Sequence, residues 1–150
     1  MLKIVLFQPE IAGNVGSIIR SCACFEAELH IIGPCGFPFD INRVKKSSLD
    51  YIDHVKIEHY NSFLDFYNTK INDTNRLILA TTKSSKNIFD FKFHQNDFIL
   101  FGMESAGVPD FIHNIANERI TIEMHNGQRS LNIAVSCGII LAVANNDIKN

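Results

Sequence analysis

The turn that follows the first apolar run of the chain carries a carboxamide and a guanidinium. In FQPEIAGNVGSIIR, residues 7–20, Asn14 and Arg20 stand at the beginning of a helical pattern. The N-terminus of a helix is a site for an anion, and arginine adds a pair of parallel donors that suits phosphate. The turn therefore predicts a site for a substrate phosphate.

The same turn admits two other interpretations. Gly13 and Gly16 would serve only a tight strand-to-helix turn if nothing were bound there. A dinucleotide site is disfavoured, because the glycines lack the G-x-G-x-x-G spacing and no acidic residue closes a second strand near position 33.

A second stretch with chemical potential is FILFGMESAGVP, residues 98–109. A buried strand that runs into this turn exposes backbone groups at its carboxyl end, where open α/β sheets bind ligands. Gly102 and Gly107 permit close approach or a positive φ. Glu104 is either a solvated loop acid or a functional carboxylate, and the sequence leaves both open.

The third stretch is ITIEMHNGQRSLNIAVSCGII, residues 120–140. It leads from a predicted strand through a polar turn to an apolar helix. Serine at the start of a helix usually caps it, so we predict Ser130 as the N-cap.

Short apolar runs alternate with helical patterns along the whole chain, which predicts an α/β fold with a mostly parallel sheet and helices on both faces. The predicted strands are Leu2–Phe7, Leu29–Ile32, Val55–Tyr60, Leu77–Thr81, Phe98–Phe101 and Ile120–Ile122. The predicted helices are Val15–Phe25, Asn42–Ser48, Phe63–Thr69, Asp110–Ala116 and Leu131–Asn145.

Two of these helices have informative faces. On the first, an apolar stripe of Val15, Ile18, Ile19 and Cys22 should pack on the sheet, which turns Arg20 to the opposite side. The last helix has almost no polar face, so we expect one side to pack on the sheet and the other on a second copy of the chain.

Bulk properties favour an ordinary globular protein. The chain has 150 residues, of which 46% are hydrophobic and 20% charged, enough for one domain with a real core spanning residues 1–150. We expect a cytoplasmic protein, because no secretory signal and no membrane-spanning apolar run is evident. The four cysteines, at 22, 24, 35 and 137, match no zinc or disulfide pattern and are expected to be reduced and mostly in the core.

The formal net charge of −2 argues against affinity for nucleic acid over the whole surface, but local basic groups remain. Arg43, Lys45 and Lys46 form one such group, and Lys83 with Lys86 forms another. Each is either a set of solvated side chains or a contact for phosphates.

Taken in order, the three stretches resemble the three signature motifs of the SPOUT (SpoU–TrmD) superfamily of RNA methyltransferases. PEIAGNVGSIIRSCA, ILFGMESAGVP and RSLNIAVSCGII match motifs 1, 2 and 3, and GPCGFPFD, LDYIDH and ATTKSS fall where one short subfamily has similar segments. The chain is thus similar to the minimal TrmL (YibK-like) subfamily, whose members lack a separate RNA-binding domain and methylate the ribose 2′-hydroxyl of the tRNA wobble nucleotide.

This resemblance implies properties that the residue patterns alone do not. The fold would be an α/β knot with a deep C-terminal trefoil, an exception to the usual absence of knots. The cofactor would be S-adenosyl-L-methionine, bent within the knotted loops, and S-adenosyl-L-homocysteine its product. The enzyme would be a homodimer that acts on the tRNA anticodon stem-loop, without a metal and away from any membrane.

The resemblance also implies the site residues. The cofactor pocket would be formed by Ala80 and Thr81 after the fourth strand, Gly102, Ile122 in the sixth strand, Met124, and Ser130 with Leu131. Catalysis would rest on Arg20, Asn14, Glu104, Ser130 and Asn132. Arg129, Arg43, Lys45 and Lys46 would bind the RNA. Glu123 stands where relatives usually have proline.

Transfer of a sulfonium methyl group to a hydroxyl needs alignment and the removal of one proton. Arg20 corresponds to the arginine that is held in the family to activate the hydroxyl. Because a guanidinium stays protonated in proteins, we hypothesise that Arg20 fixes a phosphate and stabilises developing alkoxide charge. Alternatives are a nucleotide-dependent oxidoreductase and a non-catalytic RNA-binding or dimerisation module of the same fold.

Overall fold

A computed structural model describes residues 1–40, 42–43, 49–128 and 130–150. Within these residues the strands are β1 (Lys3–Phe7), β2 (Glu28–Ile32), β3 (Ile57–Tyr60), β4 (Leu77–Ala80), β5 (Phe98–Phe101) and β6 (Glu118–Ile120). The longer helices are α1 (Ala12–Cys24), α2 (Phe63–Lys70), α3 (Asp110–Ile115) and α4 (Ile133–Lys149), and 3-10 turns cover Leu49–His54 and Ile88–Asp90.

The strands form one sheet in the order β3-β2-β1-β5-β4-β6, and every neighbouring pair is parallel. The predicted parallel α/β architecture is confirmed, while the trefoil knot stays a prediction. Phe101 at the end of β5 pairs with Leu6 and with Ala80, and Ala80 pairs in turn with Ile120. The segments that follow β1, β4, β5 and β6 therefore emerge at the same edge of the sheet.

Helices cover both faces of the sheet, and the buried strands are apolar at successive positions. Ile4 and Leu6 belong to a core shared with α1 and α4, whereas Val5 and Phe7 belong to a core shared with α2 and α3. Parallel strands buried on both faces show such continuous apolar runs instead of an alternating pattern.

The predicted face of α1 is confirmed. Val15, Ile18, Ile19 and Cys22 are fully buried, and Arg20 is exposed on the opposite side. Of the cysteines, Cys22 and Cys137 are buried, Cys35 is half-buried and Cys24 is exposed, and all four are free thiols. Burial raises the pKa of Cys22 to about 12, so this thiol is inert at neutral pH.

Two boundaries near the C-terminus differ from the sequence prediction. Strand β6 ends at Ile120, so Ile122 lies beyond the strand, because the Thr121 N–H donates to the Lys86 carbonyl (2.9 Å) and the chain leaves β4 there. The predicted N-cap at Ser130 is wrong: α4 begins at Ile133, and Asn132 Oδ1 accepts from the N–H groups of Ala134 and Val135.

The predicted helix Asn42–Ser48 lies mostly outside the described residues. The structure describes two residues of this range, Asn42 and Arg43, and both are helical. No helix among the described residues has the length and apolar content needed to cross a membrane.

An ion pair with a buried carboxylate joins the residue before β4 to the residue before β5. The side chain of Asp97 is 2% exposed and pairs with Arg76, whose Nη2 lies 2.6 Å from Asp97 Oδ2. Arg76 Nε donates to Oδ1 at 2.9 Å, and the His94 N–H donates to Oδ2 at 2.8 Å. This two-pronged geometry satisfies a carboxylate that would otherwise be buried without a counter-charge.

Replacing Arg76 by leucine should therefore leave the Asp97 carboxylate buried and unpaired. We expect the free energy of unfolding, measured in urea, to fall by about 3 kcal/mol. Lys56→Leu is the matched control, because Lys56 is exposed and its partner Glu58, at 3.0 Å, keeps a second cation in Lys70 at 2.8 Å. Ion pairs of an exposed lysine contribute about 0 to 1 kcal/mol. Equal losses for the two variants would contradict this account.

Candidate active site

A cavity of about 840 Å³ opens where β4, β5 and β6 end. Its wall is built mainly from residues 79–83, 101–108, 120–122 and 130–133. Each of these stretches follows or ends a strand except the last, which leads into α4. The cavity thus occupies the carboxyl edge of the parallel sheet, where such folds bind ligands.

All of the residues expected to bind the cofactor line this cavity: Ala80, Thr81, Gly102, Ile122, Met124, Ser130 and Leu131. Three of the five expected catalytic residues line it, namely Glu104, Asn132 and Ser130, the last of which is also expected to bind the cofactor. These positions come from four separate parts of the chain, and the strand order brings them together.

The wall formed by residues 102–107 is a tight loop. The Met103 N–H donates to the Gly107 carbonyl and the Gly107 N–H donates to the Met103 carbonyl, both at 2.8 Å. A Cβ on Gly102 would lie 2.6 Å from the carbonyl carbon of Gly107, and Gly107 itself has φ +63°. Side chains are thus excluded at position 102, and the left-handed conformation favours glycine at position 107.

Three polar side chains form a hydrogen-bonded chain at the rim of the cavity. Asn132 Nδ2 donates to Asn14 Oδ1 at 3.2 Å, and Asn14 Nδ2 donates to Glu104 Oε1 at 2.9 Å. Because Asn132 Oδ1 already accepts from the first turn of α4, its amide group must turn Nδ2 toward Asn14. The N-cap of α4 thereby fixes the orientation of Asn14, which presents a donor to the side chain of Glu104.

Arg20 lies outside the lining of the cavity, two turns along α1 from Asn14. Its side chain is exposed, with Cζ 5.4 Å from the centre of the Tyr51 ring. This distance is that of a cation–π contact. Arg20 therefore faces solvent beside the 3-10 turn Leu49–His54.

The basic residues expected to bind RNA are described only in part. Arg43 is exposed, whereas Lys45, Lys46 and Arg129 lie outside the described residues. Lys83 is exposed and lines the cavity. Lys86 pairs with Glu118 at 2.9 Å, and this hydrogen bond holds the pKa of Glu118 below its ordinary value.

The pair Lys83 and Lys86 is thus not a double positive patch, because the charge of Lys86 is offset by Glu118.

Glu123, in place of the proline usual in relatives, accepts a hydrogen bond from Asn87 Nδ2 at 3.0 Å. Among the described parts of the chain, no cluster of three or more His, Cys, Asp or Glu side chains is arranged to hold a metal ion.

Two residues at this edge escaped the sequence analysis. Glu10 accepts hydrogen bonds from Ser105, 95 positions away in the chain, and Tyr51 contacts Arg20. No local spacing signals either contact. The only hint at Glu10 was its place in the same turn as Asn14.

Comparison with known proteins gives these features a context. The model of the SpoU rRNA Methylase family matches residues 1–142. The chain is 40% identical over 143 residues to a tRNA (cytidine(34)-2′-O)-methyltransferase of Ancylobacter novellus, covering 95% of this chain and 90% of that protein. It is 39% identical over 141 residues to the protein of the same name from Beijerinckia indica, covering 94% and 88%.

Solved structures are also similar. One, from work on the 2-OH methylation of C/U34 on tRNA, has a TM-score of 0.92 and 32% identity over 98% of this chain and 95% of that one. The SpoU methyltransferase AviRb of Streptomyces viridochromogenes, solved in complex with the cofactor AdoMet, has a TM-score of 0.85 and 26% identity over 97% of this chain and 57% of that one.

Proposed function

Since this chain belongs to the SpoU rRNA methylase family, we propose that it transfers a methyl group from S-adenosyl-L-methionine to the ribose 2′-hydroxyl of the wobble nucleotide of tRNA, cytidine 34 or a modified uridine 34. The observation that carries the proposal is the cavity at the carboxyl edge of the sheet, with the Asn132–Asn14–Glu104 chain at its rim. The names of relatives about 40% identical to this chain support the substrate.

The cavity fits the cofactor in size and chemistry. Small residues at positions 80 and 102 leave room for an adenine ring, and Ile122, Met124 and Leu131 provide apolar surface around it. Lys83 and Asp110 supply charges of both signs for a zwitterionic amino-acid tail. When bound, S-adenosyl-L-methionine supplies an electrophilic methyl group.

The chain's own residues would prepare the acceptor hydroxyl. Glu104 Oε1 is engaged by Asn14, whereas Oε2 accepts no hydrogen bond from another described residue. This free oxygen would take the hydrogen bond, and then the proton, of the 2′-hydroxyl. Ser130, two residues before the N-cap of α4, would orient the hydroxyl from the side opposite Glu104.

Arg20 would bind the phosphate beside the target ribose and stabilise negative charge as it develops on the oxygen. Arg129 would assist at an RNA phosphate. Lys45 and Lys46, with the exposed Arg43, would bind the backbone of the anticodon stem-loop.

We also propose that the enzyme works as a homodimer that buries the outer surface of α4. Val135 on α4 is 51% exposed, and so is Ile11, which immediately precedes α1. The helices α1 and α4 pack against each other, and exposed apolar side chains on neighbouring elements favour a protein partner over solvent.

The decisive experiment is methyl transfer from radiolabelled S-adenosyl-L-methionine to tRNA isolated from a strain lacking this protein. We expect label in the 2′-O-methyl group of nucleotide 34, located by nuclease mapping. tRNA binding without any methyl transfer would favour a non-catalytic RNA-binding or dimerisation module. Label at another nucleotide would refute the wobble assignment.

Neutralising the basic group should weaken tRNA binding through lost phosphate contacts. For the combined change of Arg43, Lys45 and Lys46 to glutamine, we expect the Kd for tRNA to rise at least about tenfold and the salt dependence to flatten by about two in the logarithmic slope. Lys56→Gln is the matched control, because Lys56 is exposed but paired with Glu58. Unchanged affinity and slope in the triple variant would remove this group from the interface.

A further inference from the structure

Glu10, in the connection between β1 and α1, makes an unusually complete set of contacts with Ser105. Glu10 Oε1 accepts from the Ser105 backbone N–H and from the Ser105 hydroxyl, each at 2.9 Å. Oε2 also lies 2.9 Å from that hydroxyl oxygen. The Ser105 N–H and hydroxyl hold the pKa of the Glu10 carboxyl below its ordinary value, so the group is charged at neutral pH.

Ser105 lies at the tip of the loop that forms one wall of the cavity. The loop is closed at its base by the paired hydrogen bonds between Met103 and Gly107. At its tip the contacts are made by Ser105 with Glu10 and by Glu104 with Asn14. The connection before α1 and the first turn of α1 thus hold the loop at two adjacent residues.

The position of Glu10 is fixed from the other side as well. The Gly36 N–H donates to the Pro9 carbonyl at 2.9 Å. Gly36 approaches so closely that a Cβ there would lie 2.9 Å from the Glu10 Cα and 3.1 Å from its carbonyl oxygen. Glu10 is therefore held between the segment after β2 and the loop after β5.

We propose that Glu10 is a positioning residue that clamps the cavity loop through Ser105 in the shape that receives the cofactor. Glu10 does not line the cavity, so it acts on the cofactor only through residues 103–107. The clamp also bears on the distance between Glu104 and Asn14, because Glu104 immediately precedes Ser105 and Asn14 lies in the first turn of the helix that begins two residues after Glu10. The proposal rests on the proposed function only for the identity of the ligand.

The test is direct calorimetric binding of S-adenosyl-L-homocysteine to the full chain. For Glu10→Ala we expect the Kd to rise about tenfold, as for loss of hydrogen bonds to a charged group. Glu10→Gln keeps one accepting oxygen and should raise the Kd only about threefold. Glu10→Asp keeps the charge but is one methylene shorter, and it should bind as weakly as the alanine variant.

Ser105→Ala removes the hydroxyl and keeps the N–H, so we expect an intermediate loss. The double variant Glu10→Ala/Ser105→Ala should bind no more weakly than Glu10→Ala alone, because the two changes remove the same contacts. The melting temperature without ligand should stay close to that of the wild type in each case. Asp73→Ala, which removes an exposed carboxylate from the turn before β4, should leave the Kd unchanged.

A Glu10→Ala variant that binds with wild-type affinity would overturn the clamp while leaving the proposed function intact. Full affinity in Glu10→Asp would likewise overturn it, because charge alone would then suffice. If Glu10→Ala fails to fold, Ser105→Ala decides the matter by the same affinity measurement. Absence of binding by the wild-type chain would overturn the cofactor assignment and the clamp together.

Discussion

Arg20→Lys is expected to lower the rate of methyl transfer about a hundredfold, the scale of losing one well-placed donor at a developing oxyanion. Lysine keeps the positive charge but lacks the planar pair of parallel donors that binds two oxygens of one phosphate. Arg20 lies outside the cavity lining, so the affinity for S-adenosyl-L-homocysteine should stay within about twofold of wild type. The effect should therefore appear in the rate and not in cofactor binding.

The measurement is single-turnover methyl transfer with saturating tRNA and cofactor, which separates the chemical step from product release. Arg43→Lys is the matched control, because Arg43 is an equally exposed arginine with a proposed contact to phosphate alone. We expect that variant to lose less than about threefold, since a point charge suffices for such a contact. Near-wild-type turnover by Arg20→Lys would show that charge, and not the two-pronged geometry, is what the site requires.

Gly102→Ala is expected to raise the Kd for S-adenosyl-L-homocysteine by about a hundredfold or more. The added methyl group would lie 2.6, 2.8 and 2.9 Å from the carbonyl carbon, Cα and carbonyl oxygen of Gly107. All three are backbone atoms and cannot rotate away as a flexible side chain can. The loop would have to open, and the cavity wall would move with it.

Gly13→Ala provides the matched control, because a Cβ on Gly13 meets no atom within 4 Å. Alanine also has the higher helix propensity, so this change within α1 should leave stability unchanged or slightly increased. Calorimetry with S-adenosyl-L-homocysteine and thermal unfolding distinguish the two variants. Equal affinities would mean that the loop from 102 to 107 is not the wall on which the cofactor rests.

The sequence predicted the strands well because apolar runs buried on both faces leave a strong pattern. β5 matched the predicted limits. β6 did not, since its end depends on a hydrogen bond from Thr121 to Lys86 that no local pattern encodes. The start of α4 was missed because Asn132, two residues after the expected Ser130, provides the capping oxygen.

The site was predictable only through the resemblance of three motifs to a known family. Composition and spacing alone left Glu104 as either a loop acid or a functional group. Its hydrogen bond to Asn14 joins segments 90 positions apart, and the contact of Glu10 with Ser105 joins segments 95 apart. Such contacts depend on the strand order, which the local sequence pattern of a single segment does not predict.

The strand order also has a consequence for how the chain is made. Of the six strands described, β1 comes before the other five in the chain, yet it lies in the interior of the sheet between β2 and β5, with Lys3 opposite Phe98. A nascent chain emerging from the ribosome must leave the backbone N–H and C=O groups along one edge of β1 unpaired by β5 until β5 has been translated. Exposed edges of this kind invite pairing with other chains, so we expect co-translational misassembly to concentrate on LKIVLF and to end when β5 docks.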